Sequence, residues 1–440
     1  MYFLCGLSPG RSTDSHTRSP ILAMAMSFPV MLFLGYFNVC LAQENMRLTI
    51  AEAGDIALYA EPGQQEIGAR AAALRARAVV AESLPEPTLR VGLNNYPFES
   101  GGFTTEGMTN AGLGVRQVFP GGDSRALASR QLGLSADAMH ANADTRGRNV
   151  LTRTRVAWLD VYYWQQVSGL VADSRAYFDD LLTVTRSLYS VGRKSQQDVL
   201  RAQLELSRLE DRMLEIERQR VVAKSVLSEW VGEHAERPIA EQLPHWYALP
   251  PIEELQQSLT NHPAVAASDA KLAATDAGVD LADERSKPDW ALDVGYSYRN
   301  GSLPSGEPRS DFISVNVSVG MPFFRRDSVD SSLTAALHDR SAARSSKQKL
   351  VRELESNLRA EFAAFHELGR RLALYESQIL GQSTNHAEAA LLAYQSDKAD
   401  FADVMRAYVD DLDTNIEFIK LQVERAQTYA AVANLGGLPQ

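Results

Sequence analysis

YSVGRKSQQDVLRA (189–202) and YQSDKADFADVMRA (394–407) carry five identical residues at one spacing. Tyr189, Asp198, Val199, Arg201 and Ala202 in the first answer to Tyr394, Asp403, Val404, Arg406 and Ala407 in the second. Each stretch has a short polar break, Ser190-Val191-Gly192 or Gln395-Ser396-Asp397, between long segments free of proline. Each therefore reads as a tight turn joining two helices.

Outward from the turns the apolar residues keep 3,4 spacing. After the first turn Val199, Ala202, Leu206, Leu209, Met213, Ile216, Ala223, Leu227 and Trp230 follow it, with Arg220 the one polar member. After the second, Met405, Val409, Leu412, Ile416, Ile419, Val423, Ala426, Ala430 and Ala433 do the same. The incoming segments carry Val167, Val171, Phe178, Leu181 and Leu188, then Phe365, Leu368, Leu372, Tyr375 and Ile379. Sustained spacing of this kind predicts coiled-coil packing between neighbouring helices. The segment from about Asp123 to Tyr189 spans about 100 Å as one helix. Its return, about Ser195 to Val231, is half as long, and a helix opening at Pro62 makes up the difference by stacking end to end on it. Gly133, Gly147 and Gly169 weaken the expectation of an unbroken long helix.

Upstream of each long segment lie two short strands. In the second copy Trp290, Leu292, Val294, Tyr296 and Tyr298 alternate with polar residues, and Ile313, Val315, Val317 and Val319 alternate with Ser314, Asn316 and Ser318. Leu89, Val91 and Leu93, then Ala111, Leu113 and Val115, repeat the pattern more weakly. The alternation alone leaves two readings open. One is a sheet lying on a soluble core; the other is a barrel wall with lipid outside and water inside. Two hairpins cannot close a barrel, and open edges are not tolerated in lipid, so the second reading requires an oligomer.

The repetition extends further. Pro62 and Pro87 align with Pro263 and Pro288 at one offset, each pair framing an Ala-rich helix that begins at its proline and ends before the next. Val118-Phe119-Pro120 matches Gly320-Met321-Pro322, and Trp230-Val231-Gly232 matches Asn434-Leu435-Gly436. The chain thus divides into units 49–232 and 252–437, joined by a proline-rich connector, 233–251. Residues 1–42 are expected to be a signal peptide: Arg11 and Arg18 precede the apolar run Phe28 to Phe37, which ends at Cys40-Leu41-Ala42. Phe37-Asn38-Val39 lacks the small residue that lipidation of Cys40 would want.

Composition narrows the function. Both cysteines, Cys5 and Cys40, fall in the leader, which excludes disulfides, thiolate metal sites and cysteine nucleophiles from the rest. Without the leader the net charge is about −12, unlike a nucleic-acid binder. His140, His234, His245, His262, His338, His366 and His386 are scattered, none paired at i+3 or i+4, so no metal site is expected. No catalytic triad, phosphate loop or carboxylate pair can be placed on a cleft, so the chain does not read as an enzyme and calls for no cofactor.

These residues together resemble the TolC-type outer membrane efflux family. The carriers are the duplicated Tyr-x8-Asp-Val-x-Arg-Ala turns, the VFPGG and MPFF strand exits and the strand KPDWALDVGYSY. The resemblance implies a mainly α fold with two β hairpins per chain. Three chains would close a twelve-stranded β-barrel in the outer membrane, continued by a trimeric α-helical barrel through the periplasm. It further implies a passive exit duct serving a periplasmic adaptor (membrane fusion) protein and an inner-membrane pump of the resistance-nodulation-division type. The sequence looks closest to members paired with heavy-metal pumps of the cobalt–zinc–cadmium type, which would make the cargo heavy-metal cations or small toxic compounds. Two alternatives are an exit duct for secreted polypeptides and a soluble periplasmic coiled-coil scaffold.

On this reading Trp290, Leu292, Val294, Tyr296, Ile313, Val315, Val317 and Val319 are candidates to face lipid. Tyr189, Gly192, Arg193, Tyr394 and Lys398 are candidates to meet the adaptor. Asp397, Asp400, Asp403 and Asp198, each tripled in a trimer, could ring the periplasmic tip and favour cations there. Asp403 and Asp198 also lie near helix starts, where they would cap or complement the dipole, and the basic side chains Arg193, Lys194 and Lys398 suit either pairing with adaptor carboxylates or, by default, plain solvation. Asp397 stands where the first turn has Gly192. Aspartate tolerates left-handed backbone less well than glycine, so the second turn is expected to differ in shape.

Overall fold

Two proline-led helices set the frame of the computed structural model, which describes residues 47–438 apart from Ala60, Tyr247 and 322–325. The expected signal peptide with Cys5 and Cys40, and the Pro322-Phe323-Phe324 part of the second strand exit, lie outside the described residues. From Leu48 onward the chain forms one compact unit.

Helix α1 (Ile50–Tyr59) leads into α2 (Pro62–Glu82). Strands β1 (Thr88–Asn94) and β2 (Asn110–Phe119) follow, then α3 (Ser124–Ser190) and α4 (Gln196–Val231). After the connector come α5 (Ile252–Ser258), α6 (Pro263–Glu284), β3 (Trp290–Tyr298) and β4 (Phe312–Val319). The chain closes with α7 (Arg326–Leu374), a π turn at Tyr375–Ile379, α8 (Leu380–Gln395) and α9 (Phe401–Gly436). Helix, two strands, long helical stretch and return helix thus occur in that order twice.

Both α2 and α6 begin at a proline, whose missing N–H would be an orphan in the first turn anyway. The residue before each proline caps the helix. Glu61 accepts from the Gln64 N–H, and His262 accepts through Nδ1 from the Ala264 N–H at 3.2 Å. Glu61 is also bound by Arg146 of α3 at 2.7 Å, which ties the helix start to its neighbour.

Helix α3 is continuous over 67 residues, so the three glycines do not break it. Gly147 lies where α2 approaches closely, with the Gln64 amide 3.3 Å from where a Cβ would stand. Gly133 and Gly169 face open space, and their cost is spread over a helix held by its packing. Helix α3 packs against α2 along one stretch and α4 along another, and against α6 and α9 on its other sides.

The heptad residues meet in shared cores. Val167, Val171, Phe178, Leu181, Ala202, Leu209, Ile216, Tyr394, Phe401, Met405 and Leu412 form one cluster drawn from four helices. A second gathers Leu48, Trp158, Leu227 and Ile239 with Val423 and Ala426. There the Trp158 indole N–H donates to the Leu48 carbonyl at 2.9 Å, and Leu48 pairs in parallel with Ile239. The connector is pinned by its tryptophan. Trp246 stacks on Tyr429 of α9 at 4.9 Å, and the Arg155 guanidinium of α3 lies 5.6 Å from its ring centroid. Each cluster draws on elements from both halves of the chain, so the apolar faces of either half are covered by the other.

The four strands form one antiparallel sheet in the order β1-β2-β3-β4, with β1 and β4 at its edges. Four strands leave both edges unpaired within the chain; the twelve-stranded barrel goes beyond what one chain contains.

Candidate functional site: a two-faced sheet and two helical turns

The strand register sorts the sheet residues onto two faces. Leu89 stands across from Val115, which meets Val294, which meets Val315. Val91, Leu113, Tyr296 and Ile313 form the next such row. Leu292 with Val317, and Trp290 with Val319, continue this face toward the helices. All eight strand residues singled out from the sequence therefore share one face, together with the first hairpin's Leu89, Val91, Leu113 and Val115. None of the described residues covers it: Ile313 is 78 % exposed and Val91 75 %. Trp290 stacks on Phe119 of β2 at 4.1 Å, an aromatic pair at the helical end of the sheet.

The opposite face carries Thr88, Arg90, Asn94, Asn110, Arg116, Asp293, Ser297, Ser314, Asn316 and Ser318, with Gly92, Gly112, Gly114 and Gly295 between them. Val118, Ala291 and Phe312 are its apolar members. One face is thus hydrocarbon and the other polar, and both lie open in the single chain.

The passage from sheet to helix explains the glycines of VFPGG. The Gly121 N–H donates to Asp289 Oδ1 at 2.7 Å, and a Cβ there would stand 2.8 Å from the Lys287 carbonyl. Gly122 has φ +56°, and the space beside it is filled by Glu284. Glu284 accepts from the Asp123 N–H at 2.8 Å and pairs with Lys287 at 2.5 Å. Only a residue without a side chain passes this junction in that conformation.

At the other end of the helices the two turns are the same backbone object. In the first, the N–H groups of Val191, Gly192 and Arg193 donate to the carbonyls of Ser187, Tyr189 and Leu188. In the second, Ser396, Asp397 and Lys398 donate to Leu392, Tyr394 and Ala393, position for position. Gly192 has φ +72° and Asp397 φ +63°. The expectation that Asp397 would give a different turn is therefore wrong. Aspartate is among the few side chains that enter the left-handed region at modest cost. The next helix starts also agree: Ser195 has φ −85° and ψ 158°, and Asp400 φ −84° and ψ 153°.

The turns differ in their side chains. Tyr394 is buried, 1 % exposed, whereas its counterpart Tyr189 is 47 % exposed. Lys194 crosses from the first turn, donates to the Asp397 carboxylate and lies 4.4 Å from the Tyr394 ring centroid. Lys194 is thus not the solvated side chain expected from sequence. Its ammonium holds the Asp397 carboxyl below the ordinary carboxylate range. Burial, with the charges of Asp198 and Asp397 adding to it, pushes the Tyr394 phenol up.

Ser195 caps α4 by accepting from the Asp198 N–H at 3.3 Å, so Asp198 stands in a helical first turn. Asp400 stands at the matching cap of α9 but makes no side-chain cap bond, and Asp403 pairs with Arg406 at 3.4 Å. Asp397, Asp400 and Asp403 are exposed, as are Gly192, Arg193 and Lys398. The turns bring Asp397 together with Lys194 and Tyr394; they do not gather the four aspartates into one cluster within the chain. Sequence reasoning gave Lys194 no partner, because nothing local links it to a residue 203 positions away. Arg90 and Arg116, the only charged residues of the first two strands, are the one signal there of a charged place on the polar face. Among the described residues no three His, Cys, Asp or Glu side chains are gathered as metal ligands, and no helix is long and apolar enough to cross a membrane.

Residues 255–438 match the family described as Outer membrane efflux protein. No curated protein matches the chain. Several solved structures share the fold. The outer-membrane channel OprN is 19 % identical, with 88 % of this chain and 90 % of that one aligned at a TM-score of 0.74. CusC, described for its folding and transmembrane channel formation, is 13 % identical over 88 % of this chain and 92 % of its own, at 0.75. The outer membrane protein VceC of Vibrio cholerae is 16 % identical over 88 % and 96 %, at 0.73.

Proposed function

We propose that the protein is an outer membrane efflux protein, a passive exit duct whose sheet joins those of two further copies in a twelve-stranded barrel. The observation that carries this reading is the two-faced sheet. Its apolar face is wide and uncovered, its other face is polar and rich in glycine, and its two edges are unpaired. An uncovered apolar face of this extent is unfavourable in water and suits hydrocarbon. Free edges are intolerable in lipid unless further strands close them. A soluble coiled-coil scaffold would have to bury that face on something that the described residues do not supply.

In this assembly Trp290, Leu292, Val294, Tyr296, Ile313, Val315, Val317 and Val319 face lipid. The helices extend from the barrel into the periplasm, and the two turns lie at the far tip. There Tyr189, Gly192, Arg193, Tyr394 and Lys398 are offered to a periplasmic adaptor that joins the duct to an inner-membrane pump of the resistance-nodulation-division type. Asp397, Asp400, Asp403 and Asp198 are the candidates for the tip opening, with Asp397 held by Lys194. Units 49–232 and 252–437 are copies of one ancestral unit, 233–251 is the connector, and 1–42 is a signal peptide. The sequence resemblance suggests heavy-metal cations or small toxic compounds as cargo.

Two measurements test the reading. The mature protein should remain in the membrane until detergent is added, and its detergent-solubilised mass should be that of a trimer. Release without detergent, or a monomer mass, would overturn it.

A further inference from the structure

The four strands contain three charged residues, Arg90, Arg116 and Asp293, and all three meet at one place on the polar face. Arg116 and Asp293 are register partners, with the Arg116 guanidinium 3.8 Å from the carboxylate. Arg90 belongs to the neighbouring row, where its register partner is Gly114; it reaches past that glycine to Asp293 at 3.1 Å. The cluster is layered. Asp293 has only 15 % of its side chain exposed, whereas Arg116 keeps 34 % and Arg90 56 %. The carboxylate is covered by the two guanidinia, so the charge shown to solvent is positive.

The row of Arg90 is floored by Gly114 and Gly295, and the next row away from the helices by Gly92 and Gly112. These glycines leave the wall thin, so the arginines stand out from it.

We infer that Arg90, Arg116 and Asp293 form a positively charged belt lining the barrel exit, which favours anionic cargo over free cations. The inference rests on the barrel reading above and gives it a substrate charge class. Twelve strands about 4.8 Å apart and tilted by about 40° put the backbone about 12 Å from the axis. Both guanidinia lie over the Asp293 carboxylate rather than extending to the axis, so their charge stands about 10 Å from it. Each chain contributes one net positive charge, and a trimer contributes three. Acting across about 10 Å of water at 0.1 M salt, where the screening length is similar, three charges shift the anion-to-cation ratio at the axis about four-fold. A metal cation would leave past this belt more readily as an anionic complex than as the bare ion.

The test uses full-length protein in isolated outer membranes, in a background with Cys5 and Cys40 replaced. Ser314→Cys, in the row of Arg90, and Val315→Cys, on the apolar face, are each labelled with anionic and cationic methanethiosulfonates of equal size that do not cross membranes. The expected result is labelling at Ser314→Cys only, faster with the anionic reagent. Adding either Arg90→Gln or Arg116→Gln should lower the anionic-to-cationic rate ratio about four-fold, and both together about sixteen-fold because Asp293 is then uncompensated, while Arg90→Lys and Arg116→Lys should preserve it. Asp293→Asn should raise it. Labelling at Ser314→Cys with a ratio that none of these changes moves would overturn the belt alone. Labelling at Val315→Cys with Ser314→Cys silent would overturn the barrel reading instead.

Discussion

Lys194 and Asp397, from turns at opposite halves of the sequence, form an ion pair over the face of Tyr394. The pair is what distinguishes two turns whose backbones are otherwise alike. It also makes the tip of one hairpin report on the other, since loss of either residue frees both turns.

Replacing Lys194 with alanine should therefore raise amide hydrogen exchange in both turns, around 187–200 and 392–404, while leaving the sheet unchanged. Asp397→Gly should loosen the contact in the same way but keep the turn, because glycine adopts the left-handed backbone freely. Acidification should mimic these variants only at low pH. The Asp397 carboxyl is held below its ordinary range, so the contact persists above that range and is lost as pH falls through the lowered value. Exchange confined to the second turn in Lys194→Ala would show that the turns are not coupled.

The two motif tyrosines should respond unequally. Tyr394→Ala removes a buried ring from a packed cluster and should cost about 3–5 kcal/mol. Tyr394→Phe should change stability by no more than about 1 kcal/mol, because the buried hydroxyl lies beside Thr185 without a well-formed hydrogen bond. Tyr189→Ala, at an exposed position, should stay within about 0.5 kcal/mol. Denaturant melts of the detergent-solubilised protein compare the three, and equal losses at Tyr189 and Tyr394 would contradict the buried placement of Tyr394.

Stability should fall in two acid steps set by the residues before the helix-opening prolines. Burial, with the nearby Arg148 charge adding to it, pushes the His262 imidazole below its ordinary 6.5. Its contribution is complete above about 6.5 and is lost as pH falls through the lowered value, where the cap acceptor becomes a donor. The hydrogen bond from Arg146 likewise lowers Glu61 from 4.5, so its contribution is complete above that value and lost at lower pH. His262→Asn keeps a cap acceptor without a titrating ring and should erase the first step. Glu61→Gln should remove the second and cost about 2 kcal/mol near neutral pH. Thermal melts against pH in the three proteins check this; a first step that survives in His262→Asn would assign it elsewhere.

The sheet faces should tolerate charge very differently. Val317→Arg puts a guanidinium on the apolar face and should cost about 2–4 kcal/mol in a membrane barrel, with a matching loss of assembled trimer. Ser314→Arg, one face over, should assemble normally. The yield of heat-sensitive oligomer on gels compares them. Equal tolerance at both positions would favour a sheet that lies in water.

Most of the element plan was legible in the sequence because it is written in local periods. Spacing of 3 and 4 placed the long helices, alternation placed the strands, and Pro62 and Pro263 marked where helices start. The π turn at Tyr375–Ile379 had no such mark, since a single inserted residue barely disturbs the apolar pattern. The shape of the second turn was misjudged for a related reason: propensity is a weak constraint, and the packing of Tyr394 beneath it overrides the small cost at Asp397.

The sequence by itself determined where the long helices turn and the alternation of apolar and polar residues along each strand, because chain geometry repeats every few residues. Only the tertiary structure decided which tyrosine is buried, which lysine meets Asp397, and that Arg90 and Arg116 converge on Asp293. Those facts depend on the register between strands and the offset between helical hairpins. Both are fixed by packing among residues far apart in the chain, where no local period reaches.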